Sequence, residues 1–127
     1  MSKTVTIAPF FIVSDVEQSL AFYCGQLGFG EMVREPEQAP FFAVLARDGA
    51  QLFVKSEAGI APVPNCQRHP ELRWDAYVHA PDPDGLAAEF AGRGVRFARP
   101  LQDTSEGLRG FELTDPDGHV LFFGRPR

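Results

Sequence analysis

Apolar and polar positions along the chain alternate, then recur at helical spacing, then alternate again, and the whole order is repeated once. The stretch TVTIAPFFIV, Thr4 to Val13, is rich in β-branched and aromatic residues and predicts a strand. In SDVEQSLAFYCGQLGF the apolar residues Val16, Leu20, Phe22, Tyr23 and Leu27 form a stripe, which predicts a helix. Ser14 or Asp15 can cap it, Glu17 falls in its first turn, and Gly28 stops it. GEMVREP, Gly30 to Pro36, reads as a short strand, and FFAVLARDGAQLFVKS, Phe41 to Ser56, as a hairpin turning at Asp48-Gly49.

EAGIAPVPNCQRHPE follows, a stretch whose three prolines cannot continue a strand or a helix, so it predicts a connector loop. The order then begins again. LRWDAYVHA reads as a strand, DPDGLAAEFAGRG as a helix ended by Gly94, VRFARP as a short strand and GFELTDPDGHVLFF as a hairpin. In that hairpin Asp115 and Pro116 suit the first two positions of a type I turn and Gly118 its end. Matching Asp15 with Asp82 also matches Ala8 with Asp75 and brings the two hairpin turns into register within a couple of residues. The expectation is an α+β chain of two βαβββ modules, residues 4–56 and 72–125, joined by the connector 57–71. Each helix must bury its stripe on one face of its sheet, leaving the other face for a cleft or a partner surface.

Composition narrows the function classes. A chain of 127 residues can bury a sizeable core as one domain, and no apolar run approaches the roughly 20 residues needed to span a bilayer. The beginning of the chain lacks the small-residue cleavage site of a signal peptide, which predicts a cytoplasmic protein with no membrane partner. A net charge of −5 argues against a nucleic-acid partner and would suit a cationic ligand. Cys24 and Cys66 form no CxxC motif and no Cys/His cluster, so both are expected as reduced thiols. GxSxG is absent, and no Gly-rich loop follows a strand to cradle phosphate.

FIVSDVEQSLAFYCGQLGF in the first half and GFELTDPDGHVLFF in the second resemble the vicinal oxygen chelate superfamily, which contains glyoxalase I, extradiol dioxygenases, fosfomycin-resistance enzymes and the bleomycin-resistance proteins. The resemblance covers nearly the whole chain and implies paired mixed sheets around a concave cleft, and a homodimer. Metal-dependent members place ligands on the first and last strand of each module. Carried over by register, those positions are Ala8, Phe53, Asp75 and Phe122. One carboxylate and two aromatic rings cannot hold a divalent ion, which needs N, O or S donors, so no metal and no cofactor is expected. A register slip of one residue either way brings in no better donors.

Alternation along the second module's first strand puts Tyr77 and His79 on the face of Asp75, and Trp74 on the helix side. Phe10, Phe53, Lys55 and Phe122 add to a wall that is aromatic with a few polar groups, the usual make-up of a small-molecule pocket. The rings Phe41, Phe53, Trp74, Tyr77, Phe111 and Phe122, together with Asp75, suit a planar or cationic guest through stacking and cation–π contacts, Trp74 only if register or dimer exposes it. His79 lies about 13 Å along the strand from Asp75, too far for a hydrogen bond, and is read as pocket-lining and not as a base. His119 follows a turn and His69 lies in the connector, so both are expected in solvent. Among members of the superfamily the set is most similar to the bleomycin-resistance proteins, which implies sequestration of a small molecule without catalysis. The alternative is a metal-dependent lyase or isomerase of the glyoxalase type.

Overall fold

A computed structural model describes residues 2–127, which form two compact units divided at Pro62 and Val63. In the first unit the chain runs through β1 (Phe10–Ile12), α1 (Val16–Leu20), β2 (Gly30–Glu35), β3 (Phe42–Arg47) and β4 (Ala50–Lys55). Asp15 is the residue that caps α1, its Oδ1 accepting the Glu17 N–H at 3.0 Å. Past Leu20 the helix widens into a π-helical segment, Ala21–Gln26, and the left-handed Gly28 (φ 76°) turns the chain out of it.

Strand order in this unit is β1-β4-β3-β2, with β1 parallel to β4 and the other pairs antiparallel. Phe11, Leu45, Leu52 and Val54 are buried from the sheet, and Val16, Leu20, Tyr23 and Leu27 are buried from the helical stretch. The alternate residues lie on the other face. There Phe10 and Phe53 are cross-strand partners, and Phe10, Phe42 and Phe53 form a ring cluster with centroids 5.8 to 6.2 Å apart.

The second unit repeats the order with α2 (Asn65–Arg68), β5 (Ala76–His79), α3 (Pro83–Gly92), β6 (Arg99–Asp103), β7 (Leu108–Thr114) and β8 (Val120–Pro126). Its sheet is ordered β5-β8-β7-β6, again with one parallel pair, β5 with β8. Asp82 caps α3 as Asp15 caps α1, accepting the Gly85 N–H at 3.0 Å. Phe90 from α3 meets Phe111 and Phe123 edge-on, and those two rings stack on each other at 5.5 Å. Burying three such rings contributes on the order of several kcal/mol and fixes which face of β7 and β8 is core.

Four expectations need correction, the first being the strand read over Thr4 to Val13, which is confined to Phe10–Ile12. Residues 72–75 are not strand, and β5 begins only at Ala76. Residues 95–98 likewise precede β6, with Val95 buried and the Phe97 ring 5.0 Å from Phe111. The Pro-rich connector also holds a helical turn, α2, entered from Pro64, whose missing N–H costs nothing at a helix start.

Candidate functional site

The site grows from a pair of glycines. Gly110 in β7 and Gly124 in β8 are cross-strand partners. A Cβ built on Gly110 lies 2.6 Å from Phe122 Cζ and against the Phe123 carbonyl, and one on Gly124 lies 2.6 Å from Phe122 Cε1 and against the Arg109 carbonyl. The bare backbone at these two positions is therefore what admits the Phe122 ring, which lies along the sheet surface where side chains would otherwise stand.

Phe122 then becomes the inner layer of an aromatic stack. The Trp74 indole lies over it at 4.4 Å and 25°, and the Tyr77 ring at 5.7 Å and 13°. The Tyr77 hydroxyl donates to the Gly124 carbonyl at 3.2 Å, which holds that ring parallel to the sheet. Phe122 is 2% exposed and Tyr77 43%, so the outer rings meet the surroundings while Phe122 supports them.

Glu112, the cross-strand neighbour of both Phe122 and Arg99, holds Trp74 in place. Its Oε2 accepts the indole N–H at 3.0 Å, and its Oε1 accepts Arg73 Nη2 at 2.8 Å and Nε at 3.3 Å. Arg99 Nε reaches only to 3.8 Å of the same Oε1. Glu112 is 3% exposed, and a carboxylate so buried persists because charged donors compensate its lost hydration. A cavity of about 760 Å³ opens above this floor, with Trp74, Phe122, Glu112, Arg73 and Arg99 in its wall and Asn65 and Arg68 of α2 at its side. That volume falls in the range of small-molecule sites.

Asp75 performs a different task from the one its sequence position suggests. Its Oδ1 accepts the Asn65 N–H at 2.9 Å and its Oδ2 the Val120 N–H at 2.8 Å, so it fastens the start of α2 to β8. The adjoining turn is fastened by Asp115, whose Oδ1 accepts the N–H groups of Asp117 and His119 and whose Oδ2 lies 2.9 Å from His119 Nδ1. His119 is accordingly buried at 5% exposure, a correction to the solvent position expected of a residue after a turn. Burial pushes its pKa down, but the hydrogen bond to Asp115 and the charges of Asp115, Asp75 and Asp117 outweigh that and hold it above the ordinary value.

The predicted residues divide between the units. Trp74, Tyr77 and Phe122 come together as one stack, with Trp74 on the Phe122 side, contrary to the strand-alternation expectation. Strand alternation fails for Trp74 because residue 74 is not in a strand. Phe111 turns its ring to the opposite, helix-packed face, against Phe90 and Phe123. His79 is exposed at the end of β5. Phe10, Phe41, Phe53 and Lys55 belong to the first unit, Phe10 and Phe53 in its ring cluster and Phe41 49% exposed. Glu112, Arg73 and Arg99 were not foreseen. A signal existed in GFEL, where a glutamate alternates with core residues and the hairpin register sets it opposite Phe122.

The family's metal can be tested against these donors. Of Ala8, Phe53, Asp75 and Phe122 only Asp75 offers oxygen, and both of its oxygens accept backbone N–H groups. Among the described residues no group of three His, Cys, Asp or Glu side chains could hold a metal ion. The residues present do not fit the group.

Residues 5–123 match the model of the Glyoxalase/Bleomycin resistance protein/Dioxygenase superfamily. The chain belongs to this superfamily. Among solved structures, this superfamily member is similar to the bleomycin-binding protein of bleomycin-producing Streptomyces verticillus, complexed with copper(II)-bleomycin, with TM-score 0.75 and 22% identity over 100% of both chains. It is similar to TnmS3, an antibiotic binding protein from Streptomyces sp. CB03234, with TM-score 0.66 and 20% identity over 99% of this chain and 100% of that one. A superfamily member from Sphaerobacter thermophilus shares 27% identity at TM-score 0.67, over 96% of this chain and 97% of that one. No protein of curated function matches the sequence. No helix among the described residues is long and apolar enough to cross a membrane.

Proposed function

We propose that this protein binds a small molecule with a planar aromatic ring system on the Trp74–Phe122 platform and leaves it chemically unchanged. The observation that carries the reading is the stack itself: an indole laid parallel on a buried ring in the wall of a 760 Å³ cavity. Membership of a superfamily with ligand-binding members supports it, as do similar structures named as bleomycin-binding and antibiotic-binding. The donor set argues against metal-assisted chemistry, since the family's ligand positions carry rings and an already engaged carboxylate. The cationic guest suggested by net charge loses its main partner, because both Asp75 oxygens are occupied by the fold. On this reading the protein works in the cytoplasm as a homodimer that sequesters its ligand, and a bleomycin-class glycopeptide is a candidate through its aromatic rings alone.

The test is calorimetric titration of chelator-treated protein with a bleomycin-class drug and with a panel of planar aromatic compounds. Saturable binding without metal is expected, weakened about tenfold or more by Trp74→Ala, which removes the stacking surface. Binding or turnover that returns only when zinc, nickel or manganese is added contradicts the reading.

A further inference from the structure

The charges on the cavity floor do not balance, and they specify more about the ligand than its flatness. Glu112 is the buried anion of the floor, and Arg73 answers it with two N–H donors at 2.8 and 3.3 Å. Its remaining oxygen is taken by the Trp74 indole. Arg99 approaches that same neutralised carboxylate only to 3.8 Å, with 55% of its side chain exposed. Two guanidiniums against one carboxylate leave a surplus of one positive charge beside the aromatic platform.

The other charged groups lining the cavity are Arg68, Glu71, Asp103 and Glu106, all of them exposed. Asp103 is already bound to Arg109 at 3.1 Å. Arg99 is exposed as well, so salt screens its charge as it screens theirs, within about 8–10 Å at physiological ionic strength. What sets Arg99 apart is register: it lies across from Glu112, and Glu112 across from Phe122, so it stands on the sheet face that carries the platform. A guanidinium presents parallel N–H donors that match a carboxylate in a way an ammonium does not.

We infer that the ligand is an aromatic anion, a planar ring system bearing a carboxylate-type group, and that Arg99 is the residue that recognises that group. This deepens the proposed function and rests on it. Its chemistry is non-covalent: the ring lies on Trp74 and the anion takes the N–H donors of Arg99 that Glu112 does not use.

Three probes with one ring system separate the two ideas: 2-naphthoate, its primary amide, and 2-naphthylmethylammonium, each titrated calorimetrically into the full chain. The carboxylate is expected to bind about tenfold more tightly than the amide, and the ammonium more weakly than either. Adding salt should shrink the carboxylate's advantage. Arg99→Gln should bring the carboxylate down to the amide's affinity, and Arg99→Lys should keep part of the difference. The half-exposed position of Arg99 makes both variants compatible with folding, which circular dichroism checks. An amide that binds as well as the carboxylate overturns the anion inference and leaves the platform standing. A carboxylate preference that survives Arg99→Gln overturns the assignment to Arg99, and failure of all three probes overturns both.

Discussion

Replacing Glu112 with glutamine tests the joint between the aromatic platform and the sheet. The carboxylate accepts three N–H groups, two from Arg73 and one from Trp74. Glutamine keeps one carbonyl oxygen, so either the guanidinium or the indole loses its acceptor and faces an NH2 group instead. Removing one partner of a fully buried ion pair costs about 3–5 kcal/mol, and a hydrogen bond to a charged group is worth about 1.5–3 kcal/mol. Arg73 has 29% of its side chain exposed and can regain water, so the lower figure governs. The expected loss is about 2 kcal/mol, which for a chain of this length lowers Tm by roughly 6–10 °C. Glu112→Ala should lose more, because it adds a void beneath the indole. Scanning calorimetry gives the stability, and the emission of Trp74, the chain's single tryptophan, reports its loosened surroundings in the same samples. A glutamine variant with unchanged Tm and unchanged emission would show that the carboxylate does not hold the platform.

Gly124→Ala should lose about 1–3 kcal/mol, since its Cβ meets the Arg109 carbonyl and the Phe122 ring, and only displacement of that ring or of β7 relieves it. Thermal unfolding measures this, and an alanine accepted without loss contradicts the packing described. For His119 the sign follows from its raised pKa. The stabilisation is fully present below the unfolded value near 6.5 and is lost as pH rises through the folded value. Denaturant unfolding from pH 5.5 upward should show wild type losing its advantage over His119→Asn across that window, and parallel profiles for the two proteins would refute the linkage.

Much of the fold was legible because local chemistry and tertiary structure agree. Asp15 and Asp82 cap the two helices in equivalent places, and the alternation in FFAVLARDGAQLFVK and GFELTDPDGHVLFF marks the strands that pair. Phe122 was expected on the cleft face because it follows its turn as Phe53 follows the earlier one, and it lies in the cavity wall. Trp74 was misplaced for a physical reason: strand alternation was extended across residues 72–75, where the Trp74 carbonyl accepts the Asn65 side-chain N–H and bonding to β8 starts only at the Asp75 N–H. His119 was misplaced because turn position predicts exposure only when no side chain in the turn can satisfy a buried imidazole, and Asp115 can. The charged floor escaped notice because strand register alone brings Arg99 to Glu112, and Arg73 reaches Glu112 from the irregular stretch before β5.

The most direct test of the central claim is a titration of ¹⁵N-labelled, chelator-treated protein with 2-naphthamide, followed through the Trp74 indole N–H. With one tryptophan in the chain that group gives one resonance, and its hydrogen bond to Glu112 places it on the cavity floor. The account predicts that this resonance moves saturably, together with the backbone amides of Gly110 and Gly124 beneath the Phe122 ring. An indole signal that stays still while binding registers elsewhere on the protein would contradict it.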